Sequence, residues 1–120
     1  MKDFTDKTAV ITGGASGIGF ALAEQCSRRT MNIVLGDIEE QALASAVKHF
    51  EDRQVNVVGL QTDVSSKTSV ENLFDQAKAG FGKIQLLFNN AGVVNGGSPP
   101  PIWDLPRQDW DWVMGVNLMG

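Results

Sequence analysis

The chain has 120 residues, 42% of them apolar and 20% charged, with a formal net charge of −4 and a single cysteine. That length bounds it to one domain, and the composition is that of a globular fold rather than a disordered segment. The negative balance excludes a broad basic surface for nucleic acid or anionic lipid, and one cysteine excludes an internal disulfide.

Residues 1–7 contain no apolar signal core, and no apolar run approaches the length of a membrane span, so a cytoplasmic setting without membrane contact is expected. Thr8-Ala9-Val10-Ile11 is a short apolar run, rich in β-branched residues, and predicts a buried first strand over 8–12. Thr12-Gly13-Gly14-Ala15-Ser16-Gly17-Ile18-Gly19 follows, and a helical period begins behind it. A glycine-rich turn between a strand and a helix presents backbone N–H groups at a positive helix end, which suits an anion such as a pyrophosphate. Gly13 would supply the tight turn, Gly17 the close approach of backbone to ligand, and Gly19 the close packing of helix on strand. Phe20 stands where a phosphate-binding P-loop needs lysine, and the glycine spacing is G-x3-G-x-G rather than G-x-G-x-x-G.

The first helix is predicted over 17–29, with Ile18, Leu22 and Cys26 on one face, so Cys26 reads as a core side chain. A second strand over 32–36 ends at Asp37, which lies 18 residues past Gly19, near the separation expected for an acid that binds a ribose. Asp37-Ile38-Glu39-Glu40 also fits a capping box for the next helix, and both roles can hold at once. That helix, over 39–53, turns Leu43, Val47 and Phe50 inward. His49 neighbours the stripe and has no second histidine or cysteine partner, which argues against a metal. A third strand over 55–61 leads to Asp63, alone a residue of turns and caps. A third helix over 68–79 carries Val70, Leu73, Phe74 and Ala77 inward and is stopped by Gly80 and Gly82. A fourth strand over 84–88 runs into Asn89-Asn90-Ala91-Gly92, at the end of the sheet where doubly wound folds bind ligands. Residues 93–106 read as a loop with a stiff proline patch. The last helix, over 107–120, has two apolar faces: Trp110, Val113 and Met114 share one with Asn117, and Trp112, Val116 and Met119 form the other. Both faces are expected to be covered, one by the sheet and one by a partner. The alternation of strands and helices predicts an α/β fold with a parallel sheet.

Four landmarks together resemble the short-chain dehydrogenase/reductase family: the T-G-x3-G-x-G of residues 12–19, the Asp63-Val64 pair, Asn89-Asn90-Ala91-Gly92, and Asn117 within Val116-Asn117-Leu118. The resemblance extends over essentially the whole chain. It implies a Rossmann-type, doubly wound parallel sheet, cut off after the fourth strand and the helix behind it, forming one incomplete dinucleotide-binding domain over 1–120. It implies that Gly13, Ser16, Gly17, Ile18 and Gly19 cradle the cofactor phosphates and border the nicotinamide. Asp37 would hold the adenosine ribose, Asp63 and Val64 would meet the adenine, and Asn90, Ala91 and Gly92 would line the cleft. Asn117 would be the catalytic asparagine of an Asn-Ser-Tyr-Lys group, and no metal is implied. The serine and the Tyr-x3-Lys motif would fall after residue 120, and the chain contains no tyrosine. The implied activity is hydride transfer between a nicotinamide and a small-molecule alcohol or carbonyl, by a homodimer or homotetramer in which the last helix resembles a subunit-interface helix. NAD is expected over NADP, because the Asp37 carboxylate would stand where a 2′-phosphate sits. A non-catalytic dinucleotide-binding or interaction module that ends at Gly120 is the alternative. A methyltransferase on a similar sheet is disfavoured by the Asn89–Gly92 motif and Asn117. One residue departs from the family: Thr30 stands where glycine is common, which implies either a different helix end or a left-handed threonine costing roughly 1 kcal/mol.

Overall fold

The computed structural model describes residues 2–94 and 100–120. Its elements follow in the order β1 (Thr8–Thr12), α1 (Gly17–Ser27), β2 (Asn32–Asp37), α2 (Glu40–Glu51), β3 (Val57–Gln61), α3 (Lys67–Phe81), β4 (Leu86–Phe88), a single 3-10 turn (Ile102–Asp104) and α4 (Arg107–Asn117). All four strands are parallel and lie in the order β3-β2-β1-β4. The chain moves outward from β1 to β3, then crosses back to place β4 on the other side of β1. That reversal opens a crevice between the carboxyl ends of β1 and β4, the usual ligand position in such sheets.

The two faces of the sheet are packed by different helices. Ala9, Ile11, Ile33 and Leu35 point to one face and meet Ala23 and Cys26 of α1 and Leu43, Ala46 and Phe50 of α2. Val10 and Val34 point to the other and meet Leu73 and Ala77 of α3. The two-residue alternation of β1 and β2 therefore serves two cores at once, which is why both strands read as continuous apolar runs.

Local chemistry fixes the element ends. Thr30 takes the left-handed conformation (φ 60°), so the costlier of the two expected helix ends is the one adopted. Its N–H reaches the Ser27 carbonyl and that of Met31 the Cys26 carbonyl, the Schellman pattern with threonine in the glycine seat. Gln54 (φ 61°) repeats the arrangement behind α2, with Val55 N–H on the Phe50 carbonyl. Helix α3 runs through Gly80 and stops at Gly82 (φ 78°), so only the second of the two expected glycine stops acts. Its N-cap is Ser66, whose side chain accepts from Ser69 N–H.

Three further expectations are corrected. Ile18 is 75% exposed, because α1 packs on the sheet through Gly19, Ala23 and Cys26, residues small enough to bring the helix close. The capping box does not form: Glu39 is the N-cap of α2, and the Asp37 carboxylate is used elsewhere. Helix α4 ends at Asn117 and has no buried residue, so neither apolar face is fully covered, although Val113 and Val116 are half-buried. Of the proline-containing loop, residues 95–99 lie outside the described residues.

Candidate functional site

The glycine-rich turn is shaped by the end of β2. The Gly36 carbonyl accepts from Gly13 N–H at 2.7 Å and from Gly14 N–H at 3.4 Å, and Asp37 Oδ2 accepts from Ala15 N–H at 3.0 Å. Gly13 is left-handed (φ 65°), and a Cβ there would lie 2.9 Å from Ala91 Cα. A Cβ on Gly19 would overlap the Gly13 carbonyl oxygen, so α1 starts as close to the turn as glycine allows. Gly17 is also left-handed (φ 55°), yet a Cβ there would meet nothing within 4 Å. Gly17 thus faces open space at the mouth of the crevice. Ser16 is the N-cap of α1 and makes no side-chain cap bond, and no acidic residue lies in the first turn. The first-turn N–H groups of a helix have no intrahelical acceptor, so this end of α1 offers donors to an anion.

Thr12 and Asn90 join the turn to β4. Thr12 Oγ1 accepts from the N–H groups of Asn90 and Ala91, both at 3.1 Å. Asn90 Nδ2 donates to the carbonyls of Thr12 (3.1 Å) and Gly13 (3.2 Å). The Asn90 side chain is thereby spent on backbone, holding the two strand ends at a fixed separation.

A cleft of about 650 Å³ lies over these strand ends. Of the residues singled out from the sequence, Gly13, Ser16, Ile18, Asp37, Asp63, Val64, Asn90, Ala91 and Gly92 line it. Gly17 and Gly19 belong to the turn at its edge, with Gly19 buried beneath. Asp63 Oδ1 accepts from both the N–H and the hydroxyl of Ser65, at 2.9 and 2.5 Å, so the turn residue and the cleft-lining residue are the same side chain. Asn117 is set apart from the cleft wall. Its amide bonds the Val93 backbone twice, Oδ1 accepting from the N–H at 2.7 Å and Nδ2 donating to the carbonyl at 2.8 Å.

The cleft also takes in residues that the sequence reading did not assign to a site: Ile38, Glu39, Thr62, Ser65, Val93, Trp112 and Val116. Thr62 and Ser65 flank Asp63 at a strand end, a position that could have flagged them. Trp112 and Val116 enter because of where α4 lies, which no local pattern specifies. Cys26 stays in the core, where burial raises its thiol pKa above the ordinary value. His49 packs between Phe20 and Phe50 and meets Glu24 at 3.2 Å, bridging α1 and α2 away from the cleft. Among the described residues no group of three His, Cys, Asp or Glu side chains could hold a metal ion, and no helix is long and apolar enough to cross a membrane.

The short chain dehydrogenase profile matches residues 7–120, and with it the turn, the β3 end and the β4 end that build this cleft. The chain belongs to that family. It is 43% identical over 119 residues to a CLA biosynthesis dehydrogenase/reductase of Lactiplantibacillus plantarum, covering 99% of this chain and 41% of that one. It is 40% identical over 121 residues to an NAD-dependent glycerol dehydrogenase of Listeria innocua, covering 99% and 45%. Among solved structures, a short chain dehydrogenase/reductase from Burkholderia phymatum in complex with NAD superposes with a TM-score of 0.93 at 46% identity, again over 99% of this chain and 41% of that one. This member of the short chain dehydrogenases thus spans about two-fifths of the length of the relatives it matches.

Proposed function

We propose that this chain is the dinucleotide-holding part of a nicotinamide-dependent oxidoreductase that interconverts small-molecule alcohols and carbonyls, with NAD preferred over NADP. One observation carries the reading. The topology brings the glycine-rich turn, Asp37, Asp63-Val64 and Asn90-Ala91-Gly92 to one cleft at the reversal point of a doubly wound sheet. The turn fits a pyrophosphate, because Gly17 faces open space and the α1 end supplies unpaired donors beside it. Asp37 fits two ribose hydroxyls and opposes a 2′-phosphate by like charge. Asp63 and Val64 flank the position of the adenine.

Bound nicotinamide would act as the hydride carrier. The chain's own contribution is binding and orientation. Asn90 and Thr12 hold the floor of the cleft, and Asn117 fixes the backbone at Val93 on the route toward the reacting end. We assign Asn117 to the catalytic group on the family resemblance. The chain has no tyrosine, so residues 1–120 alone contribute no phenolic acid. We read 1–120 as one incomplete domain of a cytoplasmic enzyme that assembles as a homodimer or homotetramer.

The deciding experiment is a calorimetric titration of the protein with NAD and NADP, wild type and Asp37→Ala. NAD should bind more tightly to the wild type, and the preference should shrink in the variant. Equal affinities in the wild type would refute the cofactor assignment. Residues 1–120 by themselves should turn over no alcohol or ketone, as followed by absorbance of the reduced nicotinamide.

A further inference from the structure

The Asp37 carboxylate already has two backbone donors on it. Oδ2 accepts from Ala15 N–H and Oδ1 from Glu39 N–H, each at 3.0 Å, and the residue is only 9% exposed. The first of these bonds reaches across 22 residues into the glycine-rich turn. Ala15 sits between Gly13 and Gly17, two left-handed glycines whose latitude leaves the intervening segment little conformational restraint of its own. Gly36, the neighbour of Asp37, holds the near side of the turn through Gly13 and Gly14 N–H. Among the described residues only the carboxylate bonds the far side, at Ala15 N–H next to Ser16 and the donors of α1.

An ionised carboxylate has about four acceptor positions. The backbone takes two, which leaves two for a pair of ribose hydroxyls without displacing either anchor. We infer that Asp37 is a positioning residue for the glycine-rich turn as well as a ribose contact, so that the grip on the pyrophosphate depends on this carboxylate. This rests on the nucleotide-binding reading above. An asparagine cannot replace it: the single carbonyl oxygen can serve one N–H, while the amide nitrogen is a donor facing the other. Substitutions at 37 meant to admit NADP therefore loosen the phosphate site for both cofactors.

The test compares ADP with 2′,3′-dideoxy-ADP, which carries the phosphates but no hydroxyl for Asp37. Both are titrated against wild type and Asp37→Asn. If Asp37 contacts only ribose, the variant weakens ADP and leaves the dideoxy ligand unchanged or tighter, and the inference is overturned. If it also positions the turn, the dideoxy ligand weakens several-fold. A hydrogen bond to a charged group is worth at least about tenfold, and loss of a negative charge near the phosphates returns part of that. That charge effect acts in the opposite direction, so electrostatics alone cannot produce the loss. Amide hydrogen exchange on the ligand-free protein gives a second readout. Ala15 N–H should exchange faster in Asp37→Asn relative to Val10 and Ile11, and uniform acceleration or no change would overturn the assignment. Asp37→Ser, whose hydroxyl stops one bond short, gives the same comparison if the asparagine variant does not fold. A wild type that binds neither ligand would reject the nucleotide reading, while the exchange at Ala15 would still decide the anchoring.

Discussion

Strand β1 is buried at all five of its positions and strand β4 at none of its three, although the two are hydrogen-bonded neighbours. The β1-α1-β2-α2 region is packed on both faces. Its strands are covered on one face by α1 and α2 and on the other by α3, and its helices end in paired carbonyls. The β4-α4 region is held by the β1–β4 ladder, by half-buried Leu86 and Phe88 against the first core, and by the polar threads from Asn90 to Thr12 and Gly13, while Asn117 ties α4 to Val93 within the region. Among the described residues no strand pairs with the outer edge of β4, and no residue of α4 is buried. Hydrophobic stability is thus concentrated in the first region, while the cleft is assembled from both. A cleft can form on a scaffold whose energetic support is one-sided.

The largest effect that would sharpen this contrast is a cavity in the first region. Phe50→Ala should cost about 3–5 kcal/mol, since Phe50 is fully buried between α2 and the sheet. Leu87→Ala on β4, a residue 44% exposed, should cost well under half as much. Urea unfolding of both variants checks the pair, and equal costs would break the comparison. Next comes association. The open β4 edge and the incompletely covered α4 faces predict that residues 1–120 self-associate, as read by light scattering on fresh protein. Leu87→Lys should reduce it if the edge dominates, and Val116→Lys if the helix does. A monodisperse, cooperatively unfolding monomer would mean that this region is more self-sufficient than its burial indicates.

Much of the first region was legible in the sequence because its periods are strong and its cores lie on alternating strand positions. What failed there was contact chemistry. Ile18 matches a helical stripe with Leu22 and Cys26, yet the packing face is set by Gly19 and Ala23, where small size rather than apolarity decides. Asp37 and Glu40 match a capping box, but a nearer pair of N–H groups, Ala15 and Glu39, captures the carboxylate first. Gly80 reads as a stop and lies inside α3, since only Gly82 takes the positive φ that ends a helix. In the second region the motif at Asn89–Gly92 was plain, whereas Trp112 and Val116 joined the cleft through tertiary placement. The two-faced pattern of α4 correctly marks apolar surface but carries no information on what covers it.

Smaller effects probe the helix ends and the core thiol. Thr30→Gly removes a β-branched side chain from a left-handed seat and should stabilise the protein by about 1 kcal/mol, visible as a raised unfolding midpoint. Cys26 supplies the smallest signal. Burial raises its thiol pKa in the folded state above the unfolded value near 9.0. The folded state therefore holds its proton more tightly, and this contribution is intact below pH 9 and lost as pH rises above it. Thermal unfolding between pH 8 and pH 10 should show a slightly steeper loss of stability in the wild type than in Cys26→Ala.

The Thr12–Asn90 connection has a kinetic consequence. It ties residues 78 apart along the chain, whereas β1 and β2 pair across 24. Local pairing can build the first region early, but β4 docks only after a long loop closes, and non-local closure is the slow kind. The cleft therefore comes into being with that final docking. Any ligand that needs both strand ends binds only the completed state and draws the equilibrium toward it by mass action. During refolding, nucleotide binding should appear after most of the helical signal has returned, and added ligand should slow the undocking of β4 rather than hasten its arrival.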